Sequence, residues 1–530
     1  LGNTLYIGGR FSKIASTSIE LLAAIDVATG EVLPTFNLDF DGRLTTEVAP
    51  NAVQGVDDID ITSDGKLMVV VGNFEGIDNI SRPRLAVIEL DGQARVSNWN
   101  TDVYDNQCPR LVPQQIRGID IAPDNAYFLV GSQGFRERGN PACSAISRFD
   151  FGDLSNPDVQ PTWVNYTGGD SVYDVVSTDH VIYAGGHFRW LNNDATDIGD
   201  TQAPGSLVRA GLAAIDPING LTLPDWISDR NPRGVGVFAL IAEPEGIYIG
   251  DDTDFLNGIR HPKLKFLPIT SDKIVRPAIP SMPTTLFSPS DMALVGTDYD
   301  GSTFGPTTEL QSSGWANARA GMMAAGQLFH ADDEGSLWVS QFSNGALEER
   351  TSVELYGLTS NEWRISELTG MFFDYEQGRI YYTLQDDSQL YWRAFSPDGP
   401  YVSNDQFVAE NQGDILWSDV SGMDVIEGSL YFTRTNGSLY RASINGANVI
   451  SGTTQIISGP DIDGRNWDNE LLAFRSEGVR IEVNNNTVIN DQVTSAIPTS
   501  RVSAGVVSPL WLVFLILIRR CNIAGLMRSS

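Results

Sequence analysis

The sequence predicts an all-β fold of β-propeller type, with about eight to nine four-stranded blades of two repeat types, forming one large ring or two lobes. Two observations carry this. Phe36, Trp99, Trp163 and Trp226 stand 63, 64 and 63 residues apart, and Trp315, Trp363, Trp417 and Trp467 stand 48, 54 and 50 apart. Each interval holds short runs of β-branched and aromatic residues cut by Gly, Asp and Asn turns, the pattern of hairpin-linked strands. Outside the C-terminal tail no long stretch has helical periodicity.

The elements follow in order. Through residues 1–275 a strand motif recurs as "LYIGGRF" (5–11), "VVVGNFEG" (69–76), "FLVGSQGF" (128–135), "VIYAGGHF" (181–188) and "IYIGDDTDF" (247–255). A second motif follows it: "LAAIDVATGEVLPTF" (22–36), "LAVIELDGQARVSNW" (85–99) and "LAAIDPINGLTLPDW" (212–226). Residues 143–163 repeat it with a longer turn. Residues 276–291, rich in Pro, read as a seam between the repeat types. From 292 to 480 each unit opens on Gly-Met (321–322, 370–371, 422–423), continues through an aromatic hairpin and ends in a final strand. Residues 481–504 read as a polar linker. A lone four-stranded sheet leaves both faces wet, so such units must stack on one another.

The chain has 530 residues, 42% of them hydrophobic, with 67 Asp+Glu against 35 Lys+Arg and a net charge of -32. That field opposes nucleic-acid partners, which need a basic footprint, and favours solubility and cationic partners. The chain opens at Leu1 almost directly in a strand pattern, so a fragment or a processed form is expected. Cys108 and Cys143 flank one strand pair, 35 residues apart, and suit either a disulfide or two unpaired thiols. In the chain-entropy picture a bridge closing such a loop stabilises by about 3–4 kcal/mol. Cys521 lies in the tail.

The "YxGGxF" and "LAxxD…G….W" motifs of residues 3–270 resemble those of secreted bacterial β-propeller proteins with delta-sixty-type repeats. "DGSTFGP" and "LTGMFF" within 292–475 are similar to the region that often follows in those proteins. The resemblance implies an exported propeller and a Cys108–Cys143 disulfide, and it implies no particular activity. The tail, "SAGVVSPLWLVFLILIRRC" (503–521), is similar to bacterial C-terminal sorting signals. Small residues precede a 13-residue apolar run that ends at Arg519-Arg520. As a helix that run spans about 20 Å, short of the ~30 Å hydrocarbon core, with the basic end inside. Residues 505–530 are therefore expected to hold the protein at the membrane, transiently if they are cleaved, with the body at the cell surface or outside the cell.

Candidate chemistry is sparse. The Gly185-Gly186 pair lies in a strand with no helix after it, so it is no phosphate loop. Aligning the strand motifs on their closing Phe or Gly-Phe places His187 with Arg10, Asn73, Gly134 and Asp254, a polar slot that changes in every unit. His187, Arg189, Trp190 and Asp254 are the candidate ligand-binding residues. The acidic runs "GDDTDF" and "DIDGRNWDN" suit Ca2+, through Asp251, Asp252, Asp461 and Asp463. No other cofactor is expected. His180, His187, His261 and His330 are the only histidines, and neither a GxSxG nor an HExxH motif occurs. The expectation is a non-catalytic surface scaffold for a protein or glycan ligand. The alternative is a polysaccharide hydrolase or lyase using the channel, with a quinoprotein a weaker third.

Overall fold

The computed structural model describes residues 2–476 apart from positions 48, 106–107, 109–113, 135–141, 196–200, 231–233, 269–278, 344, 398 and 470. The linker and tail expected over 481–530, Cys521 included, lie outside the described residues. The chain is all-β. Its only helical elements among the described residues are two 3-10 turns, Ile365–Glu367 and Trp417–Asp419. No helix among those residues is long and apolar enough to cross a membrane.

Antiparallel sheets follow one another along the chain, and we letter them by their main strands. Sheet A pairs Thr4–Gly8 with Leu22–Asp26. Sheet B runs Gly55–Ile61, Leu67–Asn73, Leu85–Glu89, Arg95–Val96, and sheet C runs Gln115–Ile121, Tyr127–Gln133, Ala145–Asp150, Trp163–Tyr166. Sheet D holds Val172–Ser177, Ile182–Gly186 and Leu212–Ile215, and sheet E holds Val237–Glu243, Gly246–Asp251 and Leu264–Pro268. Sheet F holds Thr284–Ser290, Ala293–Tyr299 and Phe304–Gln311. Sheets G, H and I begin at Ala318–Ala324, Leu368–Asp374 and Val420–Ile426, and each is five-stranded. The Pro-rich seam is thus partly a strand. Pro283 precedes it and Pro289 falls beside its hairpin turn, so the "TTLFS" between them is free to pair on both sides.

Burial explains the aromatic spacing. Each of the eight closing aromatics sits in a different apolar cluster, and each cluster lies between two sheets. Phe36 fills the A–B cluster, Trp99 B–C, Trp163 C–D and Trp226 D–E. Trp315 fills F–G, Trp363 G–H, Trp417 H–I and Trp467 I–F. Five sheets, A to E, therefore share four clusters and form an arc. Four sheets, F to I, share four clusters and close on themselves. The closing piece is a two-residue strand, Ala473–Phe474, which joins the inner edge of sheet F through the register Leu286↔Phe474 and Phe287↔Ala473.

Carboxylates tie neighbouring inner strands together. Asp58 and Asp60 of sheet B accept the N–H groups of Ile119 (3.2 Å) and Ile121 (2.6 Å) in sheet C. Asp120 accepts Ser177 N–H of sheet D at 2.7 Å, and Asp174 accepts Leu240 N–H of sheet E at 2.7 Å. In the closed set Asp424 accepts Phe474 N–H at 2.6 Å, so the strand that seals the ring is held by the same device. A buried carboxylate that bridges two N–H groups satisfies backbone the sheets leave unpaired. Burial nonetheless pushes Asp60 up to about 6, and Asp120 and Asp424 up to about 8, against the pull of their hydrogen bonds.

The two halves touch along one seam. Asn219 Nδ2 donates to the carbonyls of Gly378 (3.1 Å) and Phe395 (3.0 Å), and the Tyr401 hydroxyl donates to Gly205 O. Leu207, Leu221 and Tyr401 pack between them with Tyr356 and Ala394.

Candidate site at the inner rim of the open arc

The inner strands of sheets B to E each carry a bulge at the same place, between Val56 and Asp58, Ile116 and Gly118, Val172 and Asp174, and Val237 and Ala239. A bulge adds one unpaired residue and re-aims its side chain. The added residues are Asp57, Arg117, Tyr173 and Phe238, and they meet in a row. Arg117 stands beside Asp57 and lies 5.6 Å over the Tyr173 ring, and Tyr173 stacks on Phe238 at 5.3 Å and 7°. Arg10 completes the row by pairing with Asp57 at 3.3 Å. Crowding by protein raises the Asp57 carboxyl despite both arginines, and burial lowers Arg117. Arg117 Nε has no hydrogen-bond partner among the described residues. That Nε is itself buried, so the row sets a half-buried guanidinium beside an aromatic shelf.

The sequence-predicted residues border this row. Strand pairing fixes the slot: His187 follows the Gly185↔Leu212 pair as Asn73 follows Val71↔Leu85 by two residues. By the same register the slot in sheet E is Asp252, set by Gly250↔Leu264, and in sheet C it is Gln133. This corrects the alignment on Asp254 and Gly134. Pairing sets a strand's register, whereas the aromatic beyond its end is free to shift. In sheet E two extra residues stand before Phe255.

His187 Nδ1 lies 2.6 Å from Val235 O, on the segment entering sheet E. Asp252 accepts the N–H groups of Val235 (2.6 Å) and Gly236 (3.1 Å) on that segment. Arg189 pairs with Asp170 at 3.2 Å and lies 5.9 Å over Trp190, which begins a short hairpin with Val208. His187, Arg189 and Asp252 thus hold the rim's shape, and the bulge residues face the opening. Gly185 and Gly186 leave room for sheet E and the strand beside them. A Cβ on Gly185 would meet Val237, and one on Gly186 would meet Ser171 O.

Of the expected calcium ligands, Asp251, Asp252 and Asp463 are engaged with cations or backbone. Asp251 is buried between Arg230 (2.9 Å) and Lys265, both of whose side chains are fully buried. Asp254 pairs with Lys263 at 3.0 Å. Asp463 accepts from the Ser458 hydroxyl and from Gly459 N–H, while Asp461 stands exposed on the same turn. Among the described residues no group of three or more His, Cys, Asp or Glu gathers to hold a metal ion. His330 is fully buried against Trp315, and burial lowers it to about 3, so it is a neutral core residue.

Cys108 and Cys143 are disulfide-bonded, with Cα atoms 5.8 Å apart. Gly134 lies at φ +147°, and a Cβ there would strike the Cys108 sulfur. The bridge ties Cys108, ahead of the strand Gln115–Ile121, to Cys143, ahead of Ala145–Asp150.

Sequence reasoning did not find the bulge row. Its residues share no chemistry, and a bulge leaves no residue-type mark. The usable signal is positional: "VDDID", "IRGID", "VYDVV" and "VFALI" place the four residues at one repeat position. No family model matches the chain, and no curated protein matches it significantly.

Proposed function

We propose that this protein is an exported, cell-surface β-propeller that acts as a binding scaffold, with the bulge row as its ligand-contacting rim. In this reading sheets A to E are five blades of an arc and sheets F to I are a closed four-bladed ring. The observation that carries the reading is the row itself: four successive bulges present Asp57, Arg117, Tyr173 and Phe238 on one edge. A half-buried arginine beside a stacked aromatic pair suits an acidic group attached to an apolar or ring-shaped body. A carboxylate-bearing protein segment or an acidic sugar meets that description. Asp58, Asp120 and Asp174 accept backbone N–H groups of the neighbouring strands, a structural use that supports the scaffold reading over a carboxylate-pair hydrolase.

Export and surface attachment rest on the disulfide, which persists in oxidising compartments, and on the sequence of the tail. Fractionating cells that express the chain with and without residues 481–530, with intact-mass measurement, tests that part. Surface recovery dependent on the tail supports it, and cytosolic recovery of both forms contradicts it. For the rim, immobilised polygalacturonate and a glutamate-rich peptide are the probes. Binding to either that weakens at least tenfold in Arg117→Ala supports the reading. Binding to neither, or equal binding by the variant, contradicts it.

A further inference from the structure

A second recess lies away from the rim, where the outer edges of sheets C and D face sheet H. It encloses about 980 Å³, at the upper end of the roughly 300–1,000 Å³ common for ligand pockets. Sheet H supplies its floor. Trp392 and Phe407 are cross-strand partners stacked at 4.2 Å and 17°, and Arg379 covers Trp392 at 3.8 Å. This stack leaves Phe407 46% exposed, an aromatic side chain held flat and open to the recess.

The facing wall carries Tyr127, Arg148 and Asp150. Arg148 is fully committed: it pairs with Asp150 at 2.8 Å, donates to Pro217 O at 2.6 Å and lies 3.9 Å over Tyr127. Asp124, Asp179, Asp194, Glu376 and Asp405 add further carboxylates, so the lining is net acidic.

These features choose among ligand classes. An anionic ligand would meet carboxylates that outnumber the two arginines, and Arg148 is already paired. A cationic peptide would be drawn by the carboxylates, and it is the competing occupant that the hexalysine arm below decides. A neutral ligand rich in hydroxyls meets no net repulsion, because hydroxyls both donate to carboxylates and accept from amides and guanidiniums. The C–H face of a pyranose ring packs on an open aromatic plane, and Phe407 provides one. We propose that the recess between the halves is a binding site for a neutral oligosaccharide, with Phe407 as its stacking platform. The site is independent of the bulge row.

The sequence holds a trace of it. Strand pairing sets Trp392 at the position filled by Ser340 in sheet G and Arg441 in sheet I, so the platform's backing is peculiar to one repeat copy.

Isothermal titration of the full chain with cellohexaose, maltohexaose and laminarihexaose, with hexalysine as the cationic arm, tests the proposal. At least one neutral hexasaccharide binds one to one, Phe407→Ala weakens it at least tenfold, Phe407→Trp restores it, and Arg117→Ala leaves it unchanged. The proposal is overturned if none of the three sugars binds, if Phe407→Ala binds equally, or if hexalysine alone binds in a Phe407-dependent way.

Discussion

The arc and the ring are built from the same parts and end differently. In both, an aromatic fills each inter-sheet cluster and a carboxylate stitches inner strands. The ring has as many clusters as sheets, because Ala473–Phe474 returns to the first sheet of the set. The arc has one cluster fewer than sheets. Its outermost sheets keep apolar residues in solvent, with Leu5 of sheet A 48% exposed and Leu264 of sheet E 44% exposed. Stacked repeats gain stability from neighbours, so an inner repeat is held on two faces and a terminal one on one. Closure also narrows the ring's middle, where the inner strands of G, H and I all pack together. The same inner-strand bulge recurs in the ring, at Leu368/Gly370 and Val420/Gly422, but in the arc Asp57 is exposed and Arg117, Tyr173 and Phe238 are half-exposed. Closure, not the repeat unit, is therefore what separates the two halves.

The closing strand should show the largest effect. Phe474 is fully buried against Tyr299 and Tyr431, so Phe474→Ala should cost about 3–5 kcal/mol and be felt in sheets F and I. Denaturant unfolding followed by hydrogen exchange would place the loss. Cys143→Ser should come next, costing about 2–4 kcal/mol and confined to sheets B to D. Equal loosening of the ring by that substitution would show that the halves fold as one unit.

Asp424 gives a smaller, pH-dependent effect. Its carboxyl is raised to about 8 in the folded chain and is near 3.8 when unfolded. The folded state thus holds a proton the unfolded state lacks, and stability falls as pH rises from about 4 through 8. His330, lowered to about 3, acts with the opposite sign only below its ordinary 6.5. Between pH 6.5 and 8 the wild type should therefore lose about 1.4 kcal/mol per pH unit more than Asp424→Asn. Parallel pH profiles for the two proteins would refute this. At the bottom of the scale, Leu5→Ala on the arc's open end should change stability by less than about 0.5 kcal/mol.

Much of this was legible in the sequence, and its limits are instructive. The closing aromatics marked every inter-sheet cluster, because one large side chain per repeat must go where two sheets meet. The disulfide pairing was legible too. Register was misread in sheets C and E; in E, Phe255 lies beyond the strand Gly246–Asp251 and belongs to a separate short hairpin through Phe255↔Arg260. In the acidic run 250–255, Asp251 is paired with Arg230 and Lys265, distant by 20 and 15 positions from Gly250. Nothing local reveals such cations. The recess was invisible for the same reason: Tyr127 and Phe407 are brought together only when the halves dock.

Native-state hydrogen exchange of the full chain tests the division between sealed ring and open arc most directly. The account predicts uniform strong protection of the inner strands of F, G, H and I, including Leu286–Phe287 and Ala473–Phe474. It predicts protection in the arc that is highest in sheet C and declines toward A and E. Equal protection of A, C and E would contradict it, because the arc would then be closed as well.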